Sequence, residues 1–160
     1  MKKQSTILIK RVTLKSIPKI VTIHKKCVSE TNARLYSGST IKEWVNQISE
    51  RSVKDQFTNS SWYILSAKNK IIGFTQFSLD DSKLYQINID PKYQAKGYGK
   101  LLYKFVEKQF KKHHKTKIYL NSTLNAFAFY RGLGFKSLGK TRFKLKKEYV
   151  QMIKMEKTLD

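Results

Sequence analysis

A chain of 160 residues with one cysteine, two prolines and eleven acidic side chains has several routes closed to it before any pattern is read. The lone thiol, Cys27, excludes an internal disulfide and a thiolate metal cluster. Flanked by Ile23 and Val28, it reads as a small buried hydrophobe without a catalytic role. Long apolar runs are also missing, so nothing reaches the length of a membrane span. Lys2 and Lys3 precede Ile7-Leu8-Ile9, but Lys10 and Arg11 stop that run short of a secretory leader, and a cytoplasmic protein is expected. The few acids face 33 lysines and arginines, a formal charge of +22. That balance favours anionic partners, whether phosphate-bearing cofactors, nucleic acid, ribosomes or anionic membrane surfaces. Lysine outnumbers arginine, which suits diffuse phosphate attraction better than bidentate base reading.

What is present fits one globular domain over residues 1–160, with 40% hydrophobic residues and enough length for a core. A first strand is expected over residues 6–12, then a helix from Leu14 to Val28 with Pro18 near its start. Ile17, Ile20, Val21, His24 and Val28 share a side of that helix. After a polar stretch to Gly38, Thr40-Ile41-Lys42-Glu43 has capping-box spacing for a second helix, striped by Ile41, Trp44, Val45 and Ile48. A connector from Lys54 to Ser60 leads into three strands, Trp62–Ala67, Ile71–Leu79 and Leu84–Ile89, separated by polar turns as an antiparallel meander.

Asp90-Pro91 ends the third of these strands. Gln94-Ala95-Lys96-Gly97-Tyr98-Gly99-Lys100 then opens a helix running to about residue 112, with Leu101, Leu102, Phe105, Val106 and Phe110 on its apolar face. Strand, glycine loop and helix in that order present unpaired amides and a positive dipole end, a seat for phosphate. The spacing is neither that of a Walker loop nor that of a dinucleotide-binding turn. Lys117–Asn121 is the next strand, and the crossover from Ile89 has room for a right-handed, locally parallel unit. Asn125 is positioned to cap a short helix through Leu133. Phe135–Arg142, interrupted at Gly139, and Tyr149–Lys157 complete the strands. Beside the lysines around them, His113 and His114 read as a solvated helix end rather than a metal site.

Glutamine, two residues, then Gly-x-Gly after a strand ending in Asp-Pro resembles the acyl-CoA loop of the GCN5-related N-acetyltransferase (GNAT) superfamily. Asn125-Ala126-Phe127-Ala128-Phe129-Tyr130-Arg131-Gly132-Leu133-Gly134-Phe135 resembles the later motif of the same superfamily, and the two stand in the family's order. The specific likeness covers about residues 71–135. It implies an α/β fold built on a single mixed, mostly antiparallel twisted sheet flanked by helices, with acetyl-CoA as co-substrate and no metal.

By that resemblance the pyrophosphate lies over amides from Gln94 to Lys100, taking in Ala95, Lys96, Gly97, Tyr98 and Gly99. The strand amide near Ile89 polarises the acetyl carbonyl, Asn125 approaches the pantetheine arm, and Tyr130 meets the sulfur as general acid. Lys96 and Lys100 either add attraction or lie in solvent, and Gln94 either meets phosphate or orients the loop. Many members carry a glutamate on the strand entering the loop; this strand offers Gln86 and Asn88, neither an ordinary proton acceptor. Water relayed to a backbone carbonyl, His24, Glu43 or Asp80/Asp81 are the remaining routes for the proton, along with a substrate that binds already neutral. Asp90 reads as a turn former.

No nucleophile–base triad accompanies these motifs, so direct attack by a primary amine in a ternary complex is expected. The acceptor is a small-molecule or a protein or peptide amine, with Tyr36, Trp44, Trp62 and Tyr85 available as an aromatic cleft. The high charge keeps open an RNA-linked or ribosome-associated amine, and a non-catalytic basic nucleic-acid or protein-binding module on the same scaffold. Either a monomer or a homodimer fits.

Overall fold

The computed structural model describes residues 6–160; residues 1–5, with Lys2 and Lys3 of the leader reading, lie outside the described residues. Among the described residues no helix is long and apolar enough to cross a membrane. The first strand, β1 (Ile7–Arg11), is followed by helix α1 (Ile17–Lys26), a π-helical turn at Cys27–Thr31, α2 (Gly38–Gln47) and α3 (Glu50–Asp55). Three strands follow, β2 (Ser61–Ala67), β3 (Lys70–Ser78) and β4 (Lys83–Ile89), then α4 (Tyr98–Lys112), β5 (Lys117–Thr123), α5 (Phe127–Gly132), β6 (Lys136–Lys144) and β7 (Tyr149–Thr158).

The seven strands of the described residues form one sheet in the order β1-β2-β3-β4-β5-β7-β6. Every neighbouring pair is antiparallel except β4 and β5, the pair joined by the α4 crossover. The expected mixed, mostly antiparallel sheet is therefore what the chain forms. Its β4–β5 junction is thin: Lys83 opposite Tyr119 is the single paired position, supported by the Tyr119 amide on the Ser82 carbonyl at 2.9 Å. Beyond it the two strands part, and a wedge opens toward Ile89.

Helices cover both faces. α4 lays Leu102, Tyr103, Val106 and Phe110 on one, where Phe77, Leu84, Ile118, Leu120 and Met155 close the largest core cluster. On the other, α1 contributes Ile17, Ile20 and Ile23 against Trp62, Ile64 and Phe74. Full burial of one such aliphatic chain stabilises the fold by roughly 1.5–3 kcal/mol.

Four local expectations are corrected. The buried stripe of α1 runs Ile17–Ile20–Ile23–Cys27, so Val21 and His24 lie to its side. Ser37, not Thr40, caps α2, its hydroxyl accepting from the Thr40 amide at 3.3 Å; the capping-box pattern was one turn out of phase, because Glu43 is engaged elsewhere. The connector begins later than expected: α3 occupies its first part, started by reciprocal Ser49 and Ser52 caps that the polar composition concealed. Asn125 does not cap α5 either, since a 3-10 turn at Leu124–Ala126 precedes that helix and Ala126 holds the cap position.

Candidate active site

The wedge between β4 and β5 widens into a cavity of about 760 Å³. At its mouth the chain leaves β4 through Asp90, whose buried carboxylate accepts the Lys92 amide at 3.1 Å, the turn-forming role expected of it. Ala95 (φ +59°) and Gly97 (φ +88°) both adopt left-handed backbone, and α4 starts at once with Tyr98. The Leu101 amide makes a helical bond back to the Gly97 carbonyl at 3.1 Å, and no side chain caps the helix. The amides of Tyr98, Gly99 and Lys100 therefore have no acceptor within the helix, and Gly97, Gly99 and Lys100 line the cavity. Gly99, unlike Gly97, has no left-handed backbone, and a methyl there would rest in ordinary contact with the Phe129 ring at 3.4 Å.

Ile89 is the hub of the wedge. It stands opposite Gly73 while the Asp90 amide bonds to the Ile72 carbonyl at 2.8 Å, which by the alternation of an antiparallel ladder turns the Ile89 N–H and C=O away from β3, into the gap. The carbonyl accepts the Gln94 Nε2–H at 2.9 Å and the Cys27 thiol at 3.1 Å. Gln94 Nε2 also lies 3.2 Å from the Thr31 hydroxyl, so this side chain ties the glycine loop to the π-turn and to the end of β4. Lys96 reaches over the Tyr93 ring instead of the cavity.

On the opposite wall stand Asn125 and Tyr130. With no cap to make, Asn125 keeps a buried Oδ1 that has no hydrogen-bond partner. Tyr130 is buried, packed edge-on against Phe129 and Phe135 with ring centres 5.1 and 5.6 Å away. Burial alone pushes its phenol pKa well above the ordinary value, so the hydroxyl keeps its proton at every physiological pH.

The far end of the cavity is lined by His24, Trp44, Gln86, Asn88, Phe143 and Met152. Burial pushes the His24 pKa down to about 4, and the imidazole is neutral. Of the other candidate proton acceptors, Glu43 holds the β6–β7 turn, accepting the Lys147 amide and, at 3.2 Å, the Glu148 amide. Asp80 and Asp81 do not line the cavity, and Asp81 accepts from the Tyr85 hydroxyl at 3.1 Å. The aromatic cleft is also revised. Trp44 and Tyr85 belong to it, but Trp62, on β2, lies in the core beneath α1, and Tyr36 is a buckle, donating to the Gln151 carbonyl at 2.6 Å and accepting the Leu124 amide at 3.0 Å. Cys27, Gln76, Phe143 and Met152 were not read from sequence as lining residues; their local patterns are those of core strands and a helix, and only the wedge brings them together.

The residues fit a pantetheine diphosphate: free amides at a helix start, an unpartnered amide oxygen further in, and a gap between strands. A profile of the acetyltransferase (GNAT) domain matches residues 32–159. The chain belongs to the GNAT family. Its fold superposes on a GCN5-related N-acetyltransferase from Rhodopseudomonas palustris with a TM-score of 0.90 at 16% identity, covering 97% of both chains. A PaiA N-acetyltransferase from Thermoplasma acidophilum in complex with coenzyme A gives 0.80 at 22% identity, covering 96% of this chain and 99% of that one. The ribosomal-protein-S18-alanine N-acetyltransferase of Escherichia coli gives 0.69 at 18%, covering 97% and 95%. No curated protein matches the chain by sequence. Membership and fold together support this GNAT protein as an acetyl-CoA-dependent acetyltransferase.

Proposed function

We propose that residues 1–160 form one N-acetyltransferase domain that moves acetyl from acetyl-CoA to a primary amine by direct attack in a ternary complex. The observation that carries this reading is the run of free amides at the start of α4 opening into the same cavity as the Ile89 N–H, Asn125 and Tyr130. When bound, acetyl-CoA supplies the thioester carbonyl and a thiol leaving group.

The chain's own residues divide the remaining work. The amides from Ala95 to Lys100 hold the diphosphate, helped by the dipole of α4, and Lys100 adds charge at the rim; the Gln94 amide, counted with them by sequence, is instead taken by the Pro91 carbonyl at 3.4 Å, and its side chain serves to orient the loop. Asn125 offers its Oδ1 to an amide N–H of the pantetheine arm. The Ile89 N–H, fixed because its own carbonyl is clamped by Gln94 and Cys27, points to where charge develops on the carbonyl oxygen. Tyr130 holds the proton needed at sulfur; with both partners buried, a neutral phenol is an adequate acid for a thiolate.

Calorimetric titration with acetyl-CoA tests the reading: micromolar binding is expected, and none at millimolar ligand would overturn it. The row Lys100, Lys104 and Lys108 on α4 supports a second reading, an RNA-linked acceptor, but it leads away from the cofactor end of the wedge and not toward His24 and Trp44. Salt-insensitive RNA binding, or none, would remove it. A non-catalytic scaffold is disfavoured by the open cavity and its inward-facing Tyr130.

A further inference from the structure

The acceptor end of the cavity is lined with side-chain amides where a carboxylate would be needed to hold an ammonium ion. Among the described residues, the titratable groups on its wall are His24 from α1, Cys27 from the π-turn, Tyr85 from β4, Tyr93 from the loop, Lys100 from α4 and Tyr130 from α5; none is a carboxylate. Asp90, behind Cys27, is buried and sits 3.9 Å from the Lys26 ammonium, while Glu30 is exposed and does not line the cavity.

In place of acids runs a continuous chain of amides. Asn88 Nδ2 donates to Gln86 Oε1 at 2.7 Å, Gln86 Nε2 to Gln76 Oε1 at 2.8 Å, and Gln76 Nε2 to Gln56 Oε1 at 2.8 Å and to the Ser60 hydroxyl at 3.0 Å. Gln76 is buried, so the middle of the chain is fixed. With every donor directed outward from Asn88 toward Gln56, the Asn88 Oδ1 is left as a neutral acceptor at the cavity.

Resting on the acetyltransferase reading above, we propose that this site takes its acceptor as a free base: a weakly basic primary amine, with a conjugate acid near pKa 8 or below, on a neutral or acidic body. Asn88 and Gln86 are the residues that select it. Peptide α-amines, near 7.7–8.0, and aromatic amines share this chemistry. Alkyl polyamines near pKa 10 do not. A polyamine would enter the field of a +22 chain, find no counter-charge, and need a base that the cavity does not supply. The neutral nitrogen donates one N–H to Asn88 Oδ1 and attacks with its lone pair. As the C–N bond forms and the C–S bond breaks, the nitrogen's surplus proton leaves to water and the sulfur takes a proton from Tyr130, which is reprotonated from solvent.

The test is a thiol-release assay on the full chain with acetyl-CoA and three acceptors: a short peptide with a free α-amine and free carboxylate, an aromatic amine, and spermidine. At pH 7.5 we expect kcat/KM for the peptide or the aromatic amine to exceed that for spermidine at least 100-fold, and the two favoured arms to separate the sources. The rising limb of kcat/KM against pH is expected to move with the pKa of the amine supplied. Asn88→Asp places a carboxylate at the same site and is expected to shift the spermidine-to-peptide ratio at least tenfold toward spermidine. A role in packing alone would leave that ratio unchanged. Preference for spermidine, a pH limb fixed whatever the amine, or no turnover on any arm despite acetyl-CoA binding would each overturn the proposal. Absence of acetyl-CoA binding would instead overturn the acetyltransferase reading beneath it.

Discussion

The side-chain amide of Gln94 donates to the carbonyl of Ile89 at 2.9 Å, joining the loop that faces the diphosphate to the strand end that faces the thioester. Removing it in Gln94→Ala leaves that carbonyl with the Cys27 thiol alone and frees the loop from the π-turn. The expected loss is about 1 kcal/mol of stability, with acetyl-CoA affinity weakened roughly fivefold to tenfold. Thermal unfolding and calorimetric titration of one preparation check both figures.

Gly97 and Ala95 share the left-handed conformation but not its cost. Gly97→Ala puts a side chain at φ +88°, a strain of about 1–2 kcal/mol, and turns the first amides of α4 off their line, so binding of acetyl-CoA is expected to fall more than tenfold. Ala95→Gly relieves strain in the folded chain while adding freedom to the unfolded one, and its melting temperature is expected to move by less than about 2 °C.

For Tyr130→Phe the two readouts should part. Burial is the sole influence on the phenol, so losing the hydroxyl is expected to leave stability and acetyl-CoA affinity within about twofold. Turnover is expected to fall roughly 100-fold or more, because the sulfur then leaves without its acid. Single-turnover kinetics at several pH values measure this, and undiminished turnover would assign the proton to another group.

Glu43 gives the opposite pattern. It accepts the amides of Lys147 and Glu148 across the β6–β7 turn, so Glu43→Ala is expected to destabilise the fold by about 2 kcal/mol. Turnover per folded molecule is expected to stay unchanged. Denaturant unfolding beside the thiol-release assay separates the two effects.

His24 makes stability depend on pH in a window of its own. Its pKa is lowered by burial from 6.5 to about 4, so between those values the unfolded chain binds a proton that the folded chain does not. Stability is therefore complete above pH 6.5, falls as pH drops toward 4, and loses nothing more from this group below that. The total is on the order of 1–3 kcal/mol. His24→Gln should flatten the curve between pH 6.5 and 4, read by chemical denaturation at fixed ionic strength.

The meander, the crossover and both motif segments were legible because each is a local pattern: alternation within β2 to β4, a 3.6-residue stripe on α4, glycines where the backbone turns. What escaped reading depends on distant partners. Glu43 looks like the third residue of a cap until the β6–β7 turn, more than a hundred residues away, claims its oxygens. Asn125 reads as a helix cap by sequence, yet a 3-10 turn takes that place and sets the amide facing the wedge. Gln56, Gln76, Gln86 and Asn88 are unremarkable one at a time; their alignment from the C-cap of α3 across β3 and β4 exists only once the sheet has formed.

The lone bridge between Lys83 and Tyr119 leaves the middle of the sheet with almost no ladder of its own. A long extended molecule lying in the gap would therefore act as a guest strand, completing across two half-sheets the pairing that the polypeptide omits. Amides of β4 and β5 near the opening should then exchange with deuterium far more slowly once the gap is filled, while those of β2 and β3 hardly change.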